Sequence, residues 1–228
     1  PVAGRARRRR TDAPVSREDI SLGEPHPPAE LAAEFPRWAG VDLSLWYRAH
    51  SDGYLGEPDR GCWWFASIPP GEGRFDLASP EGTCYFADDI EAAVRERLGK
   101  VWGSRPILPP VALDGTTVSS VDLRPFCKPE NIADTQSVDA AGYVTREISA
   151  GAGYELTQRH AAAFLAAGFV AVAYAPRFTP GAVNALALFG TGGRPSPGRD
   201  ASEVPDWKDQ LRSKVRRTVT RSRATIVS

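Results

Sequence analysis

The segment of residues 154–190 restricts the fold of this chain more than any other. It reads YELTQRHAAAFLAAGFVAVAYAPRFTPGAVNALALFG. A helix that begins at Tyr154 is predicted to end at Gly168, because a glycine after the last helical position is a common stop signal. The apolar run FVAVAYAP follows at once and predicts a strand, and AVNALALFG predicts another. The segment therefore predicts a helix that leads directly into two strands.

The rest of the chain adds two helices and further strands. PPAELAAEFPRWAG predicts a short helix with prolines at its start, and DDIEAAVRERLG predicts a helix with Asp88 or Asp89 as N-cap and Gly99 as its stop. Strands are predicted at 43–49, TCYFA, TTVSSVDL and VTREIS. Because strands outnumber helices and two helices lie between strands, we expect an α+β fold.

The strand predicted at residues 43–49 carries an arginine. Leu43, Leu45 and Tyr47 alternate with Ser44, Trp46 and Arg48, which is the period-two pattern of a half-buried strand. Charged side chains are seldom buried unless a compensating group meets them. Arg48 therefore either points at water or meets a group that another part of the chain or a ligand supplies.

Residues 51–83 are dense in glycine and proline, so turns and loops are predicted there. Loops of this length inside a domain are usually functional or disordered. The segment also carries five aromatic residues, which argue for order: Tyr54, Trp63, Trp64, Phe65 and Phe75.

Charge is distributed unevenly along a chain of zero formal net charge. Residues 1–10 carry five arginines and no acid, and residues 201–228 carry seven basic and three acidic side chains. The body between them, residues 11–200, carries 16 basic and 25 acidic side chains. Basic ends of this kind either contact nucleic acid or acidic partners, or simply stay solvated.

We therefore expect three regions. Residues 1–28 form a basic, proline-rich disordered arm. Residues 29–195 form the folded domain. Residues 196–228 form a linker followed by a basic C-terminal helix or tail.

Several classes of protein are disfavoured by composition. Cys62, Cys84 and Cys127 are odd in number and widely spaced, so neither a disulfide framework nor a zinc site is suggested. With three histidines besides, we expect no metal. No run of residues reaches the length of an apolar membrane span, and the first residues show no signal-peptide pattern, so a soluble cytoplasmic protein is expected.

Four short motifs follow one another in a set order. They are Tyr47-Arg48, the GEGRF loop with Gly73 and Arg74, the YFAD motif that begins at Tyr85, and Glu96 eleven residues after that tyrosine. In order and spacing they resemble the RES domain family, which is named for its Arg, Glu and Ser positions. The later segments TQRHA, GFVAVAYAPRF and NALALFG also resemble this family, so the resemblance covers about residues 43–190.

The resemblance implies a fold similar to ADP-ribosyltransferase toxins, with a central nucleotide cleft, and an activity on NAD⁺ as substrate. RES proteins are typically toxins of toxin–antitoxin pairs, and their antitoxins carry an Xre-type DNA-binding domain. They cleave the bond between nicotinamide and ribose, with water, phosphate or a protein side chain as acceptor. By this resemblance Tyr47, Arg48, Gly73 and Arg74 are expected to bind the nucleotide, and Tyr85 and Glu96 to be catalytic.

The chemistry of these residue types agrees with that assignment. Cleavage of an N-glycosidic bond builds positive charge on the ribose, which a fixed carboxylate such as Glu96 stabilises. Arginine forks and glycine-loop N–H groups suit a pyrophosphate. The ring of Tyr85 can stack on nicotinamide, with its hydroxyl free to hydrogen-bond.

From the residues alone, other interpretations stay open. Glu96 stands four residues before Lys100, the spacing of an ordinary surface ion pair. Arg48 can face solvent, Tyr85 can be a core aromatic, and GEGRF can be a plain turn. His160 shares a helical stripe with apolar residues and is predicted to be packed and hydrogen-bonded, not catalytic.

The family's serine has no clear counterpart. Ala175 and Pro176 stand where many relatives have serine, and an alternative alignment offers Glu155 or Thr157. Thr157 keeps a hydroxyl and is expected to contact the nucleotide. A second function class therefore stays open: a catalytically weakened domain that binds a nucleotide or a partner, with nucleic acid held weakly by the basic tails.

Overall fold

The described residues of the computed structural model form nine strands, four α-helices, two short 3-10 helices and a further helical segment at residues 207–214. The structure describes residues 22–51, 61–69, 73–102, 113–150, 154–179, 181–195 and 199–214, with the backbone alone at 100–102. The strands are β1 (Trp46–Ser51), β2 (Ser67–Ile68), β3 (Leu77–Ala78), β4 (Glu81–Ala87), β5 (Thr116–Val121), β6 (Ile132–Asp134), β7 (Ala171–Tyr174), β8 (Ala185–Thr191) and β9 (Ser202–Glu203). The helices are α1 (Pro28–Glu34), α2 (Ile90–Trp102), α3 (Glu147–Ala150) and α4 (Tyr154–Ala166). The expected α+β class is confirmed.

Seven of the strands form one mixed sheet in the order β6-β7-β8-β4-β1-β5-β9. The β6 and β7 strands pair in parallel, whereas the other neighbours are antiparallel. The β4 and β8 strands pair over seven positions and β1 and β5 over six. Between β1 and β4 the pairing within the described residues is confined to Tyr47 opposite Ala87. The sheet is thus weakest in its middle, and this gap positions the candidate site.

Alternating side chains of the central strands pack into two cores. In β7, Val172 and Tyr174 face the core beneath α1 and α4, whereas Ala171 and Ala173 face the opposite core. The β8 strand alternates in the same way, as the period of two in a strand requires. A third cluster joins α2 to β1, β5 and the C-terminal segment. The helix-then-strands reading of residues 154–190 is therefore confirmed.

Two predictions about strands were wrong. VTREIS, residues 144–149, overlaps α3, in which Ile148 is buried. At the start of this helical turn the Thr145 hydroxyl accepts a hydrogen bond from the N–H of Glu147 at 3.4 Å. In the first strand, Trp46 is fully buried and Leu45 is 53% exposed, so the expected alternation of inward and outward residues does not hold.

The start of α2 is capped by one of the two predicted aspartates. Asp89 accepts hydrogen bonds from the N–H groups of Glu91 and Ala92 at 2.8 and 3.3 Å. Asp88 instead accepts from the backbone N–H and the side-chain amide of Asn184, at 3.0 and 2.6 Å. The helical dihedral angles break at Gly99, where φ is +31°, as the stop signal predicted.

The N-terminal arm is shorter than expected, because residues 22–27 pack on the domain. Leu22 is buried, and its N–H donates to the Glu147 carboxylate at 2.7 Å. The buried His160 contacts the Gly23 carbonyl oxygen at 2.9 Å, which confirms the prediction of a packed, hydrogen-bonded histidine. The expectation of disorder over residues 1–28 has to be corrected for 22–28; residues 1–21 lie outside the described part.

The C-terminal segment also belongs to the domain. Residues 202–203 form β9 at the sheet edge, and residues 207–214 are helical. Trp207 and Leu211 are buried against apolar residues of α2. Arg199 lies over the rings of Trp63, Phe65 and Phe126 at 4.3–5.2 Å. The expected domain end at residue 195 is therefore too early; residues 215–228 lie outside the described part.

Within the residues that the structure covers, no helix combines the length and apolar character needed to cross a membrane.

We expect Trp207→Ala to lower the free energy of unfolding by about 3 kcal/mol, because it deletes a buried indole and leaves a cavity against α2. Urea unfolding followed by circular dichroism measures the change. Ser213→Ala, at an exposed position of the same helical segment, serves as control and should shift stability by less than about 0.5 kcal/mol. Equal stability of the two variants would exclude the C-terminal segment from the core.

Candidate active site

A cavity of about 260 Å³ opens where β1 and β4 stop pairing. The two strands, α2, the start of α4 and the segment after β7 line it. Its aromatic lining residues are Tyr47, Tyr85, Phe86, Tyr154, Tyr174 and Phe178. Its charged lining residues are Arg48, Arg74, Glu96, Arg97 and Arg177. Six of the seven residues expected in the site, all except Thr157, line this cavity.

Glu96 supplies the carboxylate of the cavity. It lies on α2, partly buried, and its Oε1 accepts a hydrogen bond from the N–H of Phe178 at 3.0 Å. Burial raises the pKa of the Glu96 carboxyl, while the N–H groups of Phe178 and Arg177 and the positive charges of Arg74 and Arg177 oppose that shift. Glu96 is therefore a carboxylate held in place by backbone donors.

Arg74 is a buried cation, with 8% of its surface exposed. Its guanidinium lies over the ring of Tyr154, with 4.9 Å between Cζ and the ring centroid. Burial lowers the pKa of Arg74, and the nearby Tyr154, Tyr174 and Glu96 partly offset that effect. Because an arginine stays charged even so, the cavity contains a fixed positive charge close to Glu96.

Arg48 is held mainly by backbone groups of the glycine- and proline-rich segment between β1 and β4. Its Nη1 donates to the carbonyl oxygens of Cys62 and Trp64 at 2.6 and 3.0 Å, and it also contacts the sulfur of Cys84. The guanidinium carbon lies 6.0 Å from the ring centroid of Phe86. The group that meets Arg48 is therefore a pair of carbonyls from its own chain, and the arginine also faces the cavity.

Tyr85 uses its hydroxyl inside the protein. The hydroxyl donates to the Asp76 carboxylate at 2.7 Å and accepts from the N–H of Phe75 at 2.8 Å. Burial and the charge of Asp76 raise the pKa of Tyr85 well above its usual value. The expectation of a free hydroxyl was wrong, although the ring of Tyr85 does line the cavity.

Gly73 is required by the same network. Its N–H donates to the other carboxylate oxygen of Asp76 at 2.7 Å. A Cβ at position 73 would lie 2.5 Å from the Tyr85 hydroxyl and 2.8 Å from Cγ of Asp76, closer than real Cβ contacts. Asp76 itself is 1% exposed. The glycine thus allows the loop to close over a buried carboxylate.

Thr157 differs from its expected role. It is 1% exposed, and its hydroxyl lies 2.6 Å from the carbonyl oxygen of Arg74 and 2.9 Å from that of Tyr154. It is not among the described residues that line the cavity. The hydroxyl is occupied by backbone acceptors, so direct contact with a nucleotide is not the arrangement seen.

Sequence reasoning missed several lining residues. Tyr154 and Tyr174 were read only as parts of a helix and a strand, and Arg97, Arg177 and Phe178 were not singled out. Arg177 directly follows Pro176, in the segment where the family resemblance led us to look for a serine. This segment does line the cavity, but with an arginine. Four guanidiniums and one carboxylate make the lining strongly positive, which suits an anionic ligand with a cationic reacting centre.

No group of three or more potential metal-ligating side chains occurs among the described residues.

Comparison with solved structures supports the fold. The chain is similar to a chain in the crystal structure of the M. tuberculosis MbcT–MbcA toxin–antitoxin complex, with 15% sequence identity and a TM-score of 0.50. The alignment covers 82% of this chain and 96% of that chain. This likeness shows that the chain shares the α+β fold of that chain. A comparison with curated protein sequences gives no match.

The sequence also matches the family model described as RES domain, over residues 45–211. This range covers most of the chain, so the protein belongs to the RES domain family. The matched range extends past residue 195 and includes the C-terminal segment that packs against α2.

We expect Tyr85→Phe to lower the free energy of unfolding by about 1–3 kcal/mol, because it removes the hydrogen bond that the Tyr85 hydroxyl donates to the buried Asp76 carboxylate. Thermal and urea unfolding measure the loss. Tyr143→Phe is the matched control, since the Tyr143 hydroxyl donates to Glu34 at an exposed site. A Tyr85→Phe variant no less stable than the control variant would contradict a structural role for this hydroxyl.

Proposed function

We propose that this protein is an NAD⁺-consuming toxin that cleaves the bond between nicotinamide and ribose. The observation that carries the proposal is the Glu96 carboxylate, held by the Phe178 N–H in a cavity lined by four arginines. Membership of the RES family and the fold shared with a chain of a toxin–antitoxin complex support it. An antitoxin with an Xre-type DNA-binding domain is the proposed partner.

In the proposed reaction the C1′–N bond breaks and its electron pair goes to the nicotinamide ring, which leaves as a neutral molecule. Positive charge then develops on the ribose, and the ionised Glu96 opposes it. An acceptor hydroxyl, from water, phosphate or a protein side chain, forms the new bond to C1′ and loses its proton. The lining residues bind and orient the dinucleotide for this step.

Arg74 and Arg48 are the proposed partners of the pyrophosphate. Arg74 is fixed over Tyr154 and presents its guanidinium inside the cavity. Arg48 is tied at Nη1 to the carbonyls of Cys62 and Trp64. Tyr47 and Gly73 complete this part of the proposed binding site. The ring of Tyr85 is the proposed surface for nicotinamide, and its hydrogen-bonded hydroxyl holds the end of the side chain in place.

We expect Glu96→Gln to reduce NAD⁺ loss by about 10²-fold or more, because it removes the charge that opposes the developing cation. Liquid chromatography of nicotinamide released from NAD⁺, with and without phosphate, measures rate and products. Glu91→Gln is the matched control: the same helix carries it, and its carboxylate pairs with Arg95 at 2.7 Å outside the cavity lining. Equal turnover by Glu96→Gln and the parent would contradict the assignment.

Stability separates loss of chemistry from loss of fold in this experiment. A carboxyl whose pKa is raised by burial stabilises the fold fully below the pKa of the unfolded chain, and loses that contribution as pH rises through the folded pKa. Glu96→Gln should therefore be at least as stable as the parent at neutral pH. If Glu96→Gln proves to be unfolded, the role of Glu96 is tested instead by the pH dependence of kcat/KM in the parent protein, described next.

We expect the acid limb of kcat/KM for NAD⁺ to lie above the ordinary range of a glutamate, because burial raises the pKa of Glu96 and only the ionised form opposes the cation. Activity should rise with pH through that limb. Rates measured from pH 4 upward in one buffer series test this, with protein stability followed in parallel. An acid limb at or below the ordinary pKa of glutamate would contradict the expectation.

Arg74→Ala should raise the Kd for NAD⁺ by about tenfold or more, since a charge-assisted bond to the pyrophosphate is lost. Arg74→Lys should restore only part of the affinity, because a point charge lacks the planar fork. Isothermal calorimetry measures both, with Arg124→Ala as control, an exposed arginine paired with Asp122. Unchanged affinity in Arg74→Ala would remove this residue from the site.

Binding of NAD⁺ by the parent without loss of nicotinamide would favour a binding domain over an enzyme.

A further inference from the structure

One face of α4 contacts the Gly73–Arg74 segment at three places. The Thr157 hydroxyl bonds to the Arg74 carbonyl at 2.6 Å, and the Gln158 side-chain amide donates to the Gly73 carbonyl at 2.9 Å. The third contact is the ring of Tyr154 beneath the Arg74 guanidinium. Residues three and four positions apart share a helix face, so Tyr154, Thr157 and Gln158 approach the segment together.

These bonds fix both ends of the short backbone segment that carries Arg74. Gly73 donates through its N–H to Asp76 and accepts from Gln158 through its carbonyl. The Arg74 carbonyl is held by a hydroxyl that also contacts the carbonyl of Tyr154. The backbone of Arg74 and the aromatic ring beneath its guanidinium are therefore anchored to the same turn of α4.

Placement matters at this residue more than at an exposed arginine. Arg74 is a buried residue that lines the cavity and lies near Glu96, which contributes to its electrostatic environment. A displacement of about 1 Å in a positioning group can reduce rates by about 10²-fold. Arginine side chains are flexible, so the direction of this one depends on where its backbone and its stacking partner sit.

We propose that Thr157 and Gln158 are positioning residues that hold Arg74 in the geometry required to bind the dinucleotide. They act through the carbonyls of Arg74 and Gly73 and do not themselves contact the ligand. The hydroxyl of Thr157 thus acts on the site indirectly, through its hydrogen bond to the Arg74 carbonyl. This inference rests on the proposed function, because it assigns a purpose to the placement of Arg74.

A double-mutant cycle tests the proposal. Thr157→Val keeps the shape of the side chain and removes the hydroxyl, and Thr157→Ser keeps the hydroxyl. We expect Thr157→Val to raise the KM for NAD⁺ by about tenfold with a smaller change in kcat, and Thr157→Ser to restore most of the loss. In the Arg74→Ala background, Thr157→Val should have little further effect on kcat/KM, because the residue it acts through is already gone.

Gln158→Met provides a second arm that does not disturb a buried threonine, since Gln158 is only partly buried. It removes the donor to Gly73 and should raise KM in the same way, again without effect once Arg74 is alanine. Glu155→Gln, an exposed position of α4 whose carboxylate pairs with Arg159, is the control. Thermal unfolding of each variant accompanies the kinetics.

The outcomes separate this inference from the proposed function. If the parent neither binds nor consumes NAD⁺, the proposed function fails and calorimetry shows it before any variant is made. If the parent is active but Thr157→Val and Gln158→Met match it, the positioning role is overturned. Equal losses in the parent and Arg74→Ala backgrounds would also overturn it, since they would show an effect independent of Arg74.

Discussion

The hydrogen bonds of Arg48 hold together the part of the sheet on which the cavity depends. Within the described residues, β1 and β4 pair only where Tyr47 lies opposite Ala87. The rest of the space between the two strands is therefore not closed by hydrogen bonds between them. Arg48 lies beside this gap and binds the carbonyls of Cys62 and Trp64, which belong to the loop between the two strands. A buried carbonyl without a donor costs about 1–3 kcal/mol, so the arginine stabilises the loop while leaving the space between the strands open.

The position of the carboxylate depends on how α2 is held at its N-terminal end. Asp89 caps the helix and is contacted by Lys214 of the C-terminal segment. Asp88, the last residue of the YFAD motif, exchanges hydrogen bonds with Asn184 at the start of β8. Trp207 and Leu211 pack against the apolar side of α2. Residues between 184 and 214, far from α2 in sequence, thus converge on the helix that carries Glu96.

The sequence predicted most elements but only part of the site. Periodicity and stop signals identified α1, α2, α4, β4, β5, β7 and β8, because each has a long or clearly bounded pattern. VTREIS was misread because a short segment with β-branched residues gives the same pattern as a strand, whereas in the structure the Glu147 N–H donates to the Thr145 hydroxyl at the start of a helical turn. The C-terminal helix or tail was expected to lie outside the domain, because among the described residues of 205–214 the buried apolar side chains are Trp207 and Leu211, in a run of polar residues.

The residues that line the cavity could likewise be predicted only in part from the sequence. Glu96, Arg74 and Tyr85 were singled out through the order of the family motifs, whereas Tyr154, Tyr174 and Arg177 come from segments far away in sequence whose local patterns indicate only a helix, a strand and a turn. Whether a hydroxyl is free or bonded also cannot be read from spacing. Tyr85 and Thr157 both carry hydroxyls that the folded chain uses internally, on Asp76 and on the Arg74 carbonyl.

This use of hydroxyls bears on how the proposed chemistry would work. Ala175 and Pro176, the first two residues after β7, carry no hydroxyl, and the Thr157 hydroxyl is bonded to backbone oxygens. The charged groups that line the cavity are then the Glu96 carboxylate and the guanidiniums around it. In the reaction that we propose, a site of this composition would stabilise charge by preorganised electrostatics and would need no hydroxyl nucleophile of its own, because the proposed cleavage releases nicotinamide as a neutral leaving group. The acceptor would then enter with the solvent or the target, and the protein would contribute by holding the anionic and cationic parts of the dinucleotide against groups of opposite charge.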